Sequence, residues 1–224
     1  MILIYHMSLC RSPEGHVDFV YRVHLMAVLA IPGKSRQIDL DTQVDLDCPS
    51  GAIFDRRRRY RYLLWRTWSD ALPAVSFVML NPSTADEHHN DPTISRSISL
   101  AKSSGFGSIF VVNLFAYMTK SPALLKAARH PVSCNKDARE GRHNDDYIRY
   151  ALGRSGGVVL AWGNHGQFQN RNLEVIAILR ELVDPDNLFV FSMTKQGQPR
   201  HPLYSSKKKG LESAPSLIFR GYGL

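Results

Sequence analysis

The sequence predicts an α/β fold with three layers in the order α/β/α, built on a mostly parallel central sheet of about four core strands plus an antiparallel edge strand. Four apolar runs carry this prediction, because strands buried on both faces of a parallel sheet read as continuous hydrophobic segments. These runs are residues 75–80, 108–112, 157–161 and 188–192. Helical patterns separate them, and strands that alternate with helices indicate βαβ units.

The length and composition of the chain favour one folded domain preceded by an extension. The 224 residues are 44% hydrophobic, which is typical of a globular chain. We assign residues 1–51 to an N-terminal extension of undefined structure and residues 52–224 to a single α/β domain. Three widely spaced cysteines argue against a disulfide framework and favour a reducing, cytoplasmic location. The most apolar N-terminal stretch is short and charged, so no membrane association is expected.

The elements around the first core strand follow from local chemistry. Residues 60–68 begin with aromatic residues alternating with Arg, which predicts an antiparallel edge strand, although such rings could also stack on nucleic-acid bases. Pro82 ends the strand at 75–80 because it cannot donate to a ladder. Asp91 is a suitable N-cap for a helix over 92–104.

Later helices are predicted over residues 122–128, 138–152 and 168–182. A right-handed crossover makes the first two core strands parallel. Asn81 and Asn113, which follow those strands, are therefore expected at the same edge of the sheet.

Ligands bind at the carboxyl ends of the strands in open α/β sheets, so we expect a functional site at that edge, called the rim below. The loops that follow the four core strands would gather there. They are residues 81–93, 113–119, 162–167 and 194–204.

Four rim residues are candidates for catalysis. Asn81 could hold a water or a carbonyl with its amide, or could cap its own turn. Asp86 and Asp91 could each serve as general base, and Asp91 could instead act only as the helix N-cap. His201 lies in a Pro-shaped loop, where an imidazole could donate to a developing anion or shuttle a proton.

A further group of rim residues is expected to bind substrate. This group comprises Ser83, Thr84, Asn113, Trp162, His165, Lys195, Arg200 and Tyr204. His88, His89 and Asp91 could in principle ligate a metal, but adjacent histidines do not readily face one ion. No metal site and no cofactor is therefore predicted.

The basic residues of the chain are unevenly placed. Residues 1–54 carry 4 Lys/Arg against 6 Asp/Glu, whereas residues 55–224 carry 24 against 14. Two clusters supply much of this excess: Arg56, Arg57, Arg58, Arg59 and Arg61, and Lys207, Lys208 and Lys209. Such clusters attract phosphate-bearing partners such as nucleic acid or nucleotides, or are simply a solvated surface.

Six short motifs, in order along the chain, resemble the bacterial and phage family called domain of unknown function 1643. They are Arg61-Tyr-Leu63 with Arg66-Thr-Trp68, Met79-Leu-Asn-Pro-Ser-Thr-Ala-Asp86, Asp91-Pro-Thr93, Asn113-Leu-Phe-Ala116, Ala161-Trp-Gly163 and His201-Pro-Leu-Tyr204. The resemblance covers roughly residues 52–205. That family implies a fold and supplies little chemistry.

A second resemblance is to the uracil-DNA glycosylase superfamily. An Asn-Pro loop after the first core strand, here Asn81-Pro82, is similar to the stretch whose Asn positions the attacking water in the mismatch-specific branch. His201-Pro202 is similar to the later His-Pro loop. The resemblance implies a flipped or free base in the rim pocket, with His201 stabilising the departing base and Asn113 reading a base edge.

Three functions are compatible with these residues. The first is an enzyme acting on a nucleobase, nucleotide or nucleic acid, by a glycosylase-like hydrolysis with an Asn-positioned water. The second is a non-catalytic module that binds a nucleotide or modified base. The third is a small-molecule hydrolase or transferase unrelated to nucleic acid. Salt-dependent binding of DNA or RNA separates the first two from the third.

Overall fold

The structure is a computed structural model that describes residues 5–11, 17–23, 48–134, 143–204 and 210–214. Lys207, Lys208 and Lys209, the first part of the helix predicted over 138–152, and most of the predicted extension lie outside these residues. Within the extension, β1 (Tyr5–Arg11) and β2 (Val17–Val23) pair as a two-stranded antiparallel sheet.

The main sheet has seven strands in the described part of the chain. They are β3 (Ser50–Phe54), β4 (Arg61–Thr67), β5 (Ala74–Met79), β6 (Ser108–Asn113), β7 (Gly157–Ala161), β8 (Leu188–Val190) and β9 (Glu212–Ser213). Their spatial order is β3-β4-β6-β5-β7-β8-β9. The four central strands β6, β5, β7 and β8 are parallel neighbours, and the outer strands pair antiparallel.

The four predicted core strands and the α/β class are confirmed, but the strand count and one position were wrong. Over the ranges that the structure describes, the sheet holds seven strands where five were expected. β4 is not the edge, because β3 pairs along its outer side. The missed strands β3 and β9 are short, and their sequences lack the long apolar run that identifies the buried strands.

In the described residues four α-helices connect the strands, and they begin where their caps allow. They are α1 (Pro92–Ser103), α2 (Pro122–Ala127), α3 (Asn144–Leu152) and α4 (Arg171–Leu182). The carboxylate of Asp91 accepts from the backbone N–H of Ile94 at 2.9 Å, as expected of an N-cap. α4 begins three residues later than predicted, because Gln169 and Asn170 have positive φ angles of 56° and 55° that end the preceding 3-10 segment.

Two apolar clusters divide the core between the faces of the sheet. Val75, Phe77 and Met79 of β5 lie in one cluster, and Val78 lies in the other, as the alternation of side chains along a strand requires. Buried residues of α1 belong to the first cluster, and those of α3 and α4 belong to the second. The carboxyl ends of β5, β6 and β7 therefore share one edge between the helices. None of the described helices combines the length and the apolarity needed to cross a membrane.

Candidate functional site

A cavity of about 740 Å³ opens at the rim. Its wall comes from the segments that follow β5, β6, β7 and β8, together with Thr93 in the first turn of α1. The predicted residues that line it are Asn81, Ser83, Trp162, His165, Lys195, Arg200, His201 and Tyr204. Thr84, Asp86, Asp91 and Asn113 are not among its lining residues. The volume is in the range of small-molecule binding sites.

Asn81 has a fixed amide in this wall. Its Nδ2 donates to the carbonyl oxygens of Thr119 at 2.7 Å and Pro82 at 3.0 Å. The backbone N–H of Thr119 donates back to the Pro82 carbonyl at 3.0 Å. Because the nitrogen is engaged in this way, the Oδ1 atom is the part of the amide that remains to accept from a ligand or a water.

His201 is a partly buried imidazole. Its Nδ1 accepts from the backbone N–H of Leu203 at 3.4 Å, which puts the proton of the neutral ring on Nε2. Burial lowers the pKa of His201 below its ordinary value, and the nearby charge of Asp91 opposes part of that shift. The ring is therefore neutral at pH 7 and offers one N–H donor. Its centroid lies 5.8 Å from the ring of Tyr204.

The segment from Trp162 to Gly166, which we call the Trp162-Gly163 corner, requires glycine at two positions. Gly163 has a φ of 69°, and its N–H donates to the Pro199 carbonyl at 2.7 Å. A Cβ on Gly166 would lie 2.1 Å from the Trp162 ring, so only glycine fits under the indole. The indole N–H donates to Oε1 of buried Gln198 at 3.0 Å. These contacts fix the aromatic wall of the cavity.

We call residues 194–204 the His201 loop. The Thr194 hydroxyl donates to Oδ1 of Asn164 at 2.6 Å and accepts from the backbone N–H of Gln198 at 3.1 Å. The backbone N–H of Arg200 donates to the Ser192 carbonyl at 2.9 Å. Neutral and backbone groups therefore anchor this loop.

We call residues 81–91 the Asn81 loop, and its two carboxylates are engaged within it or at its end. Oδ1 of Asp86 accepts from the backbone N–H groups of His88 at 2.8 Å and His89 at 2.7 Å. These bonds lower the pKa of Asp86 to about 2, so it is a weak proton acceptor. Asp91 caps α1 and lies close enough to influence His201.

Two buried arginines of β4 hold the Asn81 loop from beneath. Arg66 donates to the Asp86 carbonyl at 2.6 Å and to Oδ1 of Asn90 at 2.8 Å. Arg61, only 2% exposed, donates to the Ala85 carbonyl at 3.0 Å, and burial lowers its pKa to about 10. Arg61 was predicted to bind phosphate at the surface, but it lies inside. The Arg66 contact was missed, although both residues belong to the first resemblance motif.

The other predicted arginines form an exposed turn, residues 55–60, which we call the arginine turn. Buried Asp55 shapes it by accepting from the backbone N–H groups of Arg57, Arg59 and Tyr60. Arg58 donates twice to the Glu87 carboxylate, at 2.6 and 2.7 Å. Arg56, Arg57, Arg58 and Arg59 are all exposed. The turn lies near the rim, because the backbone N–H of Met118 donates to the carbonyl of Arg59.

Asn113 does not line the cavity. It is 1% exposed, and its carbonyl accepts from Nδ2 of Asn144 at 2.8 Å. Its own Oδ1 has no partner among the described residues.

Thr119 and Lys120, which the sequence analysis did not select, line the cavity. The signal for them was their position: Thr119 is the last residue of the predicted rim loop 113–119, and Lys120 follows it directly.

One comparison with known proteins identifies the family. The profile of a family described as protein of unknown function (DUF1643) matches residues 61–203. Comparisons with curated proteins and with solved structures give no match. The matched span includes the Asn81 loop, the Trp162-Gly163 corner and most of the His201 loop. The chain therefore belongs to the protein family of unknown function DUF1643.

Proposed function

We propose that this protein hydrolyses the N-glycosidic bond of a nucleotide or of a base in nucleic acid. One observation carries the proposal: Asn81 and His201, far apart in sequence, line one cavity. Each offers a single defined group to a ligand, an acceptor oxygen on Asn81 and an N–H donor on His201. An acceptor can orient water, and a donor can stabilise a leaving base.

The reaction assigns one step to each residue. The bond between the sugar C1′ and the base nitrogen breaks, and its electron pair stays on the base. Nε2–H of His201 donates to the base anion that forms. A water held by Oδ1 of Asn81 attacks C1′, and its proton leaves to the base or to solvent. A neutral imidazole suits this role, because it stabilises the anion without having to transfer its proton first.

The carboxylates have supporting roles in this proposal. Asp86 keeps the Asn81 loop in shape through its bonds to backbone N–H groups. Asp91 fixes the start of α1 and adds a negative charge near His201. Neither lines the cavity. The water is therefore oriented by the amide of Asn81, and the departure of the base carries most of the barrier.

The glycosylase-like character of the fold belongs to the same proposal. The order of the Asn81-Pro82 and His201-Pro202 loops along the chain supports it. So does the division of the helices between two apolar clusters, which fits three layers. The arginine turn, and Lys207, Lys208 and Lys209 along the chain, would then contact phosphates of the substrate.

A second candidate is a module that binds a nucleotide or modified base without turnover. The described residues around the cavity include no Asp or Glu. A hydrolase that uses a carboxylate base would need one there. The lack of a carboxylate among these described residues is therefore the observation that favours binding without hydrolysis.

To test for hydrolysis, the protein is incubated with nucleosides, with nucleotides, and with single- and double-stranded oligonucleotides that carry normal or damaged bases. Released base is measured by liquid chromatography with mass spectrometry. Asn81→Ala and His201→Ala are each expected to lower the rate by about 100-fold or more. His88→Ala and Asn187→Ala, at exposed positions outside the cavity, are the matched controls.

The outcomes separate the two candidates. Base release that depends on Asn81 and His201 supports the hydrolase. Binding that weakens in the same variants, with no release from any substrate, supports the binding module. Release that is unchanged in both variants refutes the assignment of these residues.

A further inference from the structure

The charged groups around the cavity are all of one sign. Lys120, Lys195 and Arg200 line it. Among the described residues no carboxylate joins them in the wall, and the nearest identified by its effect on His201 is Asp91. A concave surface with cations and few compensating anions concentrates negative ligands.

The guanidinium group of Arg200 is not fully satisfied by the described residues of the protein. Its backbone is fixed by the bond to the Ser192 carbonyl at 2.9 Å. Its Nη2 makes only a 3.5 Å contact to the Met193 carbonyl, and its buried Nε has no partner among the described residues. A buried donor without an acceptor destabilises the protein, because the lost hydrogen bonds to water are not replaced. An anion bound in the cavity would supply that acceptor.

The arginine turn differs from the cavity in this respect. Arg58 is held in a two-bond pair with Glu87 and lies 3.9 Å from the centroid of the Phe54 ring. The hydrogen bonds to Glu87, with smaller contributions from the charges of Glu87 and Asp86, raise the pKa of Arg58, and burial opposes part of that shift. The positive charge of the turn is therefore partly neutralised by the Asn81 loop, whereas that of the cavity is not.

We propose that Lys120, Lys195 and Arg200 form a subsite for the phosphate of a free nucleoside monophosphate, whose base reaches Asn81 and His201. A phosphate monoester carries nearly two negative charges at pH 7 and three acceptor oxygens, which suits three cationic side chains better than the single charge of a diester. The inference rests on the proposed function, because it fills the same cavity. It narrows the substrate from nucleic acid to a mononucleotide.

The test compares matched ligands by isothermal titration calorimetry at low salt, using nucleosides, their 5′-monophosphates, inorganic phosphate and a short oligonucleotide. The monophosphate is expected to bind at least about tenfold more tightly than its nucleoside. Lys195→Ala and Lys120→Ala, both at exposed positions, should each weaken binding of the monophosphate more than binding of the nucleoside and so remove most of that advantage. Lys102→Ala, in the last turn of α1 at the far end of the helix, is the control.

The result separates this inference from the proposed function. Preference for the monophosphate without base release keeps the subsite and removes the hydrolase. Base release with equal binding of nucleoside and monophosphate keeps the hydrolase and overturns the subsite. An oligonucleotide that binds more tightly than every mononucleotide also overturns it, as does a preference that Lys120→Ala and Lys195→Ala both leave intact.

Discussion

The Asn81 loop and the His201 loop face one cavity but are anchored by different chemistry. The first is tied by charged side chains, with the guanidinium groups of Arg61 and Arg66 below it and the Asp86 carboxylate within it. The second is tied by an indole, amides, a hydroxyl and backbone groups. Hydrogen bonds to charged groups are stronger and more costly to break when buried. The Asn81 wall should therefore be the more sensitive to single substitutions and to pH.

The largest effect is expected at the anchor of the Asn81 loop. Arg66→Leu removes the donors to the Asp86 carbonyl and to Asn90, which should lower the free energy of unfolding by about 3 kcal/mol. Urea denaturation measures it. Arg149→Ala, which breaks an exposed pair with Glu181, is the control and should cost less than about 1 kcal/mol. Equal losses in the two variants would contradict the anchoring role.

A backbone change at Gly163, whose N–H donates to Pro199 of the His201 loop, should have a smaller effect. Gly163→Ala places a side chain at a φ of 69° and a ψ of −172°, a region that costs roughly 2 kcal/mol for other residues. Gly153→Ala is the control, because Gly153 has an ordinary helical φ of −68° and can gain stability. Thermal unfolding of the two variants should shift in opposite directions or leave the control unchanged. If Gly163→Ala unfolds at the same temperature as the unsubstituted protein, the expected backbone strain at residue 163 is absent and the prediction is wrong.

The indole bond of the His201 loop should contribute less again. Trp162→Phe deletes the N–H that donates to Gln198 and should lower the free energy of unfolding by about 1 kcal/mol. Tyr204→Phe, at a ring that is 76% exposed, is an aromatic control expected to leave stability unchanged. If Trp162→Phe also leaves stability unchanged, the bond to Gln198 does not anchor the loop.

The smallest effect is a pH dependence in the Asn81 loop. The pKa of Asp86 is lowered to about 2 by backbone N–H groups, below its unfolded value of about 3.9. The stabilisation is therefore present above that value and is lost as the pH falls towards 2. Asp86→Asn should flatten this part of the stability curve, measured by urea unfolding between pH 5 and about 2. Asp186→Asn, in an exposed turn before β8, should leave the curve unchanged.

Local patterns were sufficient to predict the α/β class and the four parallel core strands. The apolar runs of β5, β6, β7 and β8 identify parallel strands because both of their faces are buried. β3 and β9 were missed because they are short and pair at the edges, where no continuous apolar run is needed. Asp91 and Pro92 marked the start of α1 correctly, because a cap depends on neighbouring residues alone.

The sequence predicted where the rim lies in the fold but not the contacts that its residues make. The chain order of strands and loops indicated that Asn81 and His201 would approach each other, and both line the cavity. The environment of Arg61 could not be predicted, because its partner, the Ala85 carbonyl, lies on another element. The same is true of Asn113, whose burial depends on α3. An isolated charge pattern does not distinguish a surface cluster from an internal anchor.

Gly166 lies directly against the Trp162 ring, so the size of residue 166 determines where this ring stands in the wall of the cavity. A Gly166→Ala substitution would have to push the indole aside, so it should change the width of ligand that the cavity accepts. A substitution at this one position would therefore change the shape of the cavity without replacing Asn81, His201 or another polar residue that lines it.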